Sequence, residues 1–159
     1  MKINKLHTIL TVDTFREYQS YMLIKPDDTV LTNSEVLLVL DSKSLFDPDF
    51  LFSIPKEGIL IHKSIVTKLN EDNIRYLKYD PKESEIEFTV TERKFDYTIK
   101  VKIESPGRVS YPDYMAVIPS NESLVSLKTI AIGERTFPKL FGIFKYLQLQ
   151  FTGENKAIL

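Results

Sequence analysis

Two histidines, His7 and His62, are the only imidazoles in the chain, and neither stands in a motif that would make it a general base or a metal ligand. There is no cysteine, so the chain has no thiol nucleophile, zinc–thiolate site or disulfide framework. Carboxylates gather in three places: Asp27-Asp28, Asp47-Pro48-Asp49, and Glu83-Ser84-Glu85 with Glu87. Grouped oxygens can hold a hard cation, but a calcium loop spaces its ligands over a longer, regular stretch. Beside prolines, aspartates read instead as turn formers, because the carboxylate accepts from backbone N–H groups two residues on. The glutamates alternate with apolar residues and read as the wet face of a strand. No GxSxG, HExxH, P-loop or GxGxxG sequence is present. The expectation is a protein that is not an enzyme, with no catalytic residue, no metal and no cofactor.

The bulk numbers narrow the class further. The chain has 159 residues, 43% apolar and 27% charged, the balance of a soluble globular protein. Its net charge is −1, so a grip on nucleic acid would need a local basic face. No apolar run approaches the roughly 18 residues of a membrane span, and Met1-Lys2-Ile3-Asn4-Lys5 is too polar for a signal peptide. A cytoplasmic protein is expected.

The elements that must position any site follow from periodicity and turn chemistry. Ile3, Leu6, Ile9 and Leu10 recur at helical spacing, which predicts a short helix over 3–10. Strands are expected over 17–24, 29–31 and 36–40, with Lys25-Pro26-Asp27-Asp28 as a turn. Asp47-Pro48-Asp49 breaks the next stretch, and Ile54-Pro55-Lys56-Glu57-Gly58 resets it. A strand over 58–61 and a helix over 64–70 follow, then strands over 74–79, 85–90 and 97–104. In the last two, Ile86, Phe88 and Val90 alternate with polar residues, as do Ile99, Val101 and Ile103, which predicts one buried and one wet face. Beyond them come a strand over 129–132, an amphipathic helix carrying Phe137, Leu140, Phe141, Phe144 and Leu147, and short strands over 149–151 and 157–159. Between the two blocks lies Tyr111-Pro112-Asp113-Tyr114-Met115-Ala116-Val117-Ile118-Pro119, a stiff junction with a proline near each end.

This order of elements and three local segments resemble the bacterial and phage DNA polymerase sliding clamp, the β subunit of DNA polymerase III. The junction resembles the family's FPDYxxVLP phrase. Arg16-Glu17-Tyr18-Gln19 and Thr32-Asn33-Ser34-Glu35-Val36-Leu37 take the places of its Arg-Tyr-Tyr-Leu strand and TDGHRL turn, although the turn lacks Asp-Gly-His-Arg. Ile59-Leu60-Ile61-His62 takes the place of the strand that leads into a helix. The resemblance implies an α+β DNA-clamp fold built from β-α-β-β-β units, with antiparallel sheets and short helices on one face. It implies a clamp-like domain over 1–119 and the start of a further unit, or a strand-complementing extension, over 120–159.

The resemblance also implies partners and sites. A peptide pocket for a DNA polymerase or clamp-loader tail would lie among Arg16, Gln19, Thr32, Ser34, Glu35, Val36, Leu37, Pro112, Ala116 and Val117. Double-stranded DNA would be met weakly and without sequence preference by Lys5, Lys68, Arg135, Lys139 and Tyr146. A chain of this length would close a ring only as a homo-oligomer. The function expected is that of a non-catalytic processivity factor or replication-associated protein. The alternatives are a clamp-fold interaction module, of phage or mobile-element type, that never encircles DNA, and an unrelated α+β structural protein.

Overall fold

The computed structural model describes residues 5–33, 35–69, 74–92, 95–104, 107–117, 150–151 and 157–158. The chain is α+β, with antiparallel sheets and short helices, and divides into two compact units, Met1–Tyr111 and Pro112–Leu159. The division falls inside the junction phrase, before Pro112.

The first unit is built on two sheets. Strands β1 (Tyr21–Ile24), β2 (Asp28–Thr32), β3 (Leu37–Asp41) and β4 (Ile59–His62) form one, in the order β3-β2-β1-β4. Met22, Leu23 and Ile24 are all buried, as are Ile59, Leu60 and Ile61. Neighbouring residues on a strand point to opposite faces, so both faces of β1 and β4 are covered. Helix α3 (Lys63–Leu69) packs on β1 and β4 and on the turn that holds Leu6, with Ile65, Val66 and Leu69 buried.

Strands β5 (Ile74–Asp80), β6 (Glu85–Glu92) and β7 (Phe95–Lys102) form the second sheet, in that order. Their register explains the alternating sequence. Phe88 stands opposite Leu77 and Ile99, and Ile86 opposite Tyr79 and Val101, so the apolar residues share one face. Glu87 stands opposite Lys78 and Lys100 on the other face and pairs with Lys100 at 3.0 Å. Asp80 closes the β5–β6 turn by accepting from the N–H groups of Lys82 and Glu83. Past β7, Leu60 donates to the carbonyl of Glu104, which seats that segment against β4 and ties the second sheet to the first.

Three expectations change. Residues 3–10 are not a helix where described: Leu6–Thr8 is a single 3-10 turn. Lys5 sits at φ 59°, in the left-handed region, which interrupts an α-helix. The apolar residues of the pattern are nonetheless buried, Leu6, Ile9 and Leu10 all at 2% exposure or less. Residues 17–20 form a 3-10 turn, and the strand begins only at Tyr21. Asp13 holds that entry by accepting from the N–H groups of Phe15 and Arg16. The stretch around Asp47-Pro48-Asp49 is a pair of short helices, α1 (Ser42–Leu45) and α2 (Pro48–Ser53). Asp41 and Asp47 are their N-caps, accepting from the N–H groups of Lys43 and Asp49, and Pro48 occupies the first turn of α2.

In the second unit, Tyr114–Val117 is a 3-10 turn started by Asp113, whose carboxylate accepts from the N–H of Met115. Strands β8 (Gln150–Phe151) and β9 (Ala157–Ile158) pair as an antiparallel hairpin, as the pattern predicts. The strand expected over 129–132 and the helix that follows lie outside the described residues.

Both histidines have local structural surroundings. His62 Nδ1 accepts from the N–H of Ser64, and the Ser64 hydroxyl lies 2.9 Å from the same nitrogen, so the ring caps the start of α3. Tyr21 meets the His62 ring edge-on at 5.2 Å. His7 Nδ1 is buried without a hydrogen-bond partner. Burial, and secondarily the Lys63 ammonium, push the His7 imidazole below its ordinary value of 6.5. The folded chain therefore resists protonation that the unfolded chain accepts. The stability this group contributes is full above about pH 6.5 and is lost as pH falls through the depressed folded value. We expect the urea midpoint to fall between about pH 7.5 and pH 5, and the part of that fall due to this group to vanish in His7→Gln. Equal slopes in the two proteins would refute the assignment.

Candidate functional site

The residues expected to line a peptide pocket fall on three elements. Thr32 ends β2, Leu37 begins β3, and the two are paired across the hairpin. Glu35 and Val36 stand in the turn between them, which Asn33 holds. Its side-chain oxygen accepts from the N–H groups of both Glu35 and Val36, and its own N–H donates to the carbonyl of Val36. The turn is thus built by an asparagine side chain, a local solution that needs no glycine. Ser34 lies outside the described residues.

Arg16 precedes the 3-10 turn Glu17–Ser20, and Gln19 lies within it; that turn packs against β2. Arg16 and Glu35 are exposed and Leu37 is half-buried, while Gln19, Thr32 and Val36 are buried. The Gln19 side-chain oxygen accepts from the Thr11 hydroxyl, and its carbonyl accepts from the Thr11 N–H. The fold therefore gathers Arg16, Gln19, Thr32, Glu35, Val36 and Leu37 around one end of the β2–β3 hairpin. Of these, the side chains at the surface are an arginine, a glutamate and part of a leucine. Tyr111 reaches the same strand, its hydroxyl donating to the Val30 carbonyl at 3.0 Å and its ring meeting Tyr18 edge-on at 6.1 Å. Pro112, Ala116 and Val117 belong to the second unit, where Pro112 and Ala116 are exposed and Val117 closes the 3-10 turn.

Of the residues expected to face DNA, Lys5 and Lys68 are described and both are exposed. Lys68 sits in the last turn of α3, at the edge of the face that buries Ile65, Val66 and Leu69. Lys63, at the start of the same helix, is turned inward, its Nζ donating to the Leu10 carbonyl at 2.6 Å. Arg135, Lys139 and Tyr146 lie outside the described residues.

The turn acids are occupied by the fold. Asp27 pairs with Lys43 at 2.9 Å, and this hydrogen bond holds the Lys43 ammonium above its ordinary value. Its carbonyl accepts from the N–H of Ser42. Ser42 is fully buried, and its hydroxyl donates to the Lys25 carbonyl and lies 2.8 Å from the Thr29 hydroxyl. This network fastens the start of α1 to the β1–β2 turn. Beside it opens an apolar cavity of about 500 Å³, whose lining includes Pro26, Pro48, Phe52 and Ile54. Sequence reading missed it because its walls come from segments some twenty residues apart; the signal available was the Asp-capped, Pro-started α2. Among the described residues, no group of three or more His, Asp or Glu side chains is placed to share a metal ion, and no helix is long and apolar enough to cross a membrane.

The chain matches no family model, no curated protein and no solved structure.

Proposed function

We propose that the chain is a non-catalytic, clamp-like protein that acts in DNA replication by binding double-stranded DNA and a peptide of a polymerase or clamp loader. The observation that carries this reading is the succession β4–α3–β5–β6–β7, the β-α-β-β-β order of a clamp unit, beside a second set of three antiparallel strands, β1–β2–β3. The phrase Tyr111–Pro119 and the turn Thr32–Leu37 are the sequence segments that resemble those of a clamp's peptide pocket. A basic helix surface touching phosphates would let the protein slide without reading sequence.

The test is binding of a fluorescent duplex of about 30 base pairs. Binding is expected to be weak at low salt and to fall steeply as salt rises, because each phosphate contact releases counterions. The double substitution Arg135→Glu with Lys139→Glu is expected to weaken it about tenfold or more, and Lys68→Glu by less. Absence of duplex binding at low salt, in every oligomeric state of the protein, would overturn the DNA part. Retained binding of a clamp-loader peptide in that case would leave an interaction module that does not encircle DNA. The engagement of Lys63 with Leu10, which takes one cation of α3 away from solvent, is the observation that favours this second reading.

A further inference from the structure

Strand β7 is an edge of the second sheet, and among the described residues nothing pairs with its far side. It runs for 8 residues in unbroken register with β6, from Phe95 opposite Glu92 to Lys102 opposite Glu85. It contains no proline, glycine or bulge, devices by which edge strands avoid further pairing; its guards are the charges of Lys100 and Lys102. The opposite edge, β5, differs: its register breaks between Ile74 and Tyr76, and α2 packs on it.

The bond from Ile103 to Ser84 fixes which backbone groups of β7 face outward. Ile103 donates to the Ser84 carbonyl at 2.9 Å, on the β6 side. Backbone direction alternates along a strand. Phe95, Tyr97, Ile99 and Val101 therefore also turn theirs to β6, while Asp96, Thr98, Lys100 and Lys102 turn theirs outward. Side chains alternate with the same period. Phe95, Tyr97, Ile99 and Val101 share the apolar face with Ile86 and Phe88, and Asp96 and the two lysines share the wet face. Phe95 and Tyr97 are 77% and 42% exposed, so the apolar row is only partly covered where it reaches the edge. The Thr91 hydroxyl, donating at 2.6 Å, holds the Asp96 carboxylate on the wet face.

This edge is self-complementary. With two copies antiparallel and Ile99 on the two-fold axis, Asp96 stands opposite Lys102 on both sides of the axis, and Thr98 opposite Lys100. Each outward-facing residue then meets another, which gives about eight hydrogen bonds between the chains. On the apolar face Tyr97 meets Val101 and Phe95 meets Ile103. A slip of one residue would set apolar side chains against charged ones. A slip of two one way sets Asp96 against Lys100, which already pairs with Glu87 at 3.0 Å. The other way sets Asp96 against Glu104 and Lys100 against itself.

We propose that β7 pairs in this register with β7 of a second copy of the chain, joining the two three-stranded sheets into one. The contact is isologous and closes at two copies. It rests on neither the DNA nor the peptide part of the function proposed above. One strand edge is a small interface, so the dimer exchanges with monomer on dilution.

The test is sedimentation velocity of the full chain over about a thousandfold range of concentration. A monomer–dimer equilibrium is expected. Asp96→Lys sets lysine against lysine, and Lys102→Asp sets aspartate against aspartate. Each should weaken the dimer about tenfold or more. An equimolar mixture of these two variants should recover the parent's affinity as a heterodimer, because each chain supplies the charge the other lacks. Thr98→Pro removes an outward N–H that β6 does not use, and should abolish the dimer while keeping the folded circular-dichroism spectrum. Should Thr98→Pro fail to fold, the charge variants decide. Monomer at every concentration overturns the proposal. So does a dimer that survives in folded Thr98→Pro, one that the charge variants leave unchanged, or a loss that mixing them does not repair.

Discussion

Replacing Phe50 by alanine is expected to remove about 3–5 kcal/mol of stability, the cost of emptying a phenylalanine site in a packed core. Phe50 is 2% exposed, and its ring lies against Phe46 with centroids 5.3 Å apart. It anchors α2, the helix that packs on β5 of the second sheet and on α1. A single domain holds only about 5–15 kcal/mol in total, so the variant should be partly unfolded at 37 °C. Chemical denaturation followed by circular dichroism measures the loss. The control lies two residues away: Phe52 is 96% exposed, and Phe52→Ala should leave the midpoint within about 0.5 kcal/mol of the parent. If the two substitutions cost the same, the placement of α2 is wrong.

Gly58 is the second position at which a small change should have a large effect. Its φ of +87° lies where L side chains are strained, and a Cβ there would stand 2.6 Å from the Ile24 carbonyl oxygen and 2.9 Å from Lys25 Cγ. Lys25 Cγ belongs to a flexible side chain and can move. The Ile24 oxygen belongs to β1, which pairs with β4 from Ile24 to Ile59, and it cannot move without opening that ladder. Backbone strain and overlap together put Gly58→Ala at about 2–4 kcal/mol destabilising. Gly58→Asn, a residue that tolerates the left-handed region better, meets the same carbonyl and should recover only the smaller, backbone part. A denaturation midpoint unchanged by Gly58→Ala would show that β4 does not run where it is placed.

These two residues also show which parts of the fold could be read in advance. The alternation through β6 was legible because a strand buried on one face writes its period directly into the sequence; on β7 the expected buried face is only half-buried at Ile99, Val101 and Ile103, because β7 is the edge of the sheet. Gly58 was read both as the end of the resetting segment and as the first residue of a strand; its positive φ leaves it outside the strand, which begins at Ile59. Helices α1 and α2 were not, because four and six residues are too few to show a helical period. Their signature is confined to the caps, Asp41 and Asp47. At residues 3–10 the apolar spacing correctly marked Leu6, Ile9 and Leu10 as core, but the left-handed Lys5 is a backbone choice that side-chain periodicity does not reveal. The burial of Gln19 depends on Thr11 as its partner, a pairing fixed by chain reversal and not by local propensity. The cavity beside Phe52 needed the hairpin turn and the crossover to meet in space, and no linear motif encodes that meeting.

The bond from Tyr111 to Val30 joins the last residue of the first unit to its second strand across 81 positions of chain. During synthesis, β2 leaves the ribosome long before the residue that fastens to it exists. The first sheet, complete with β4, can therefore pair early and still lack this clasp until Tyr111 emerges from the exit tunnel. At the usual pace of about 5–20 residues per second, the 81 positions from Val30 to Tyr111 take on the order of 4–16 seconds. Throughout that interval the nascent chain is exposed to chaperones and proteases in an incompletely fastened form. A codon-level slowing before Tyr111 clears the tunnel should lengthen that exposure and raise susceptibility to proteolysis, while slowing after it has cleared should not.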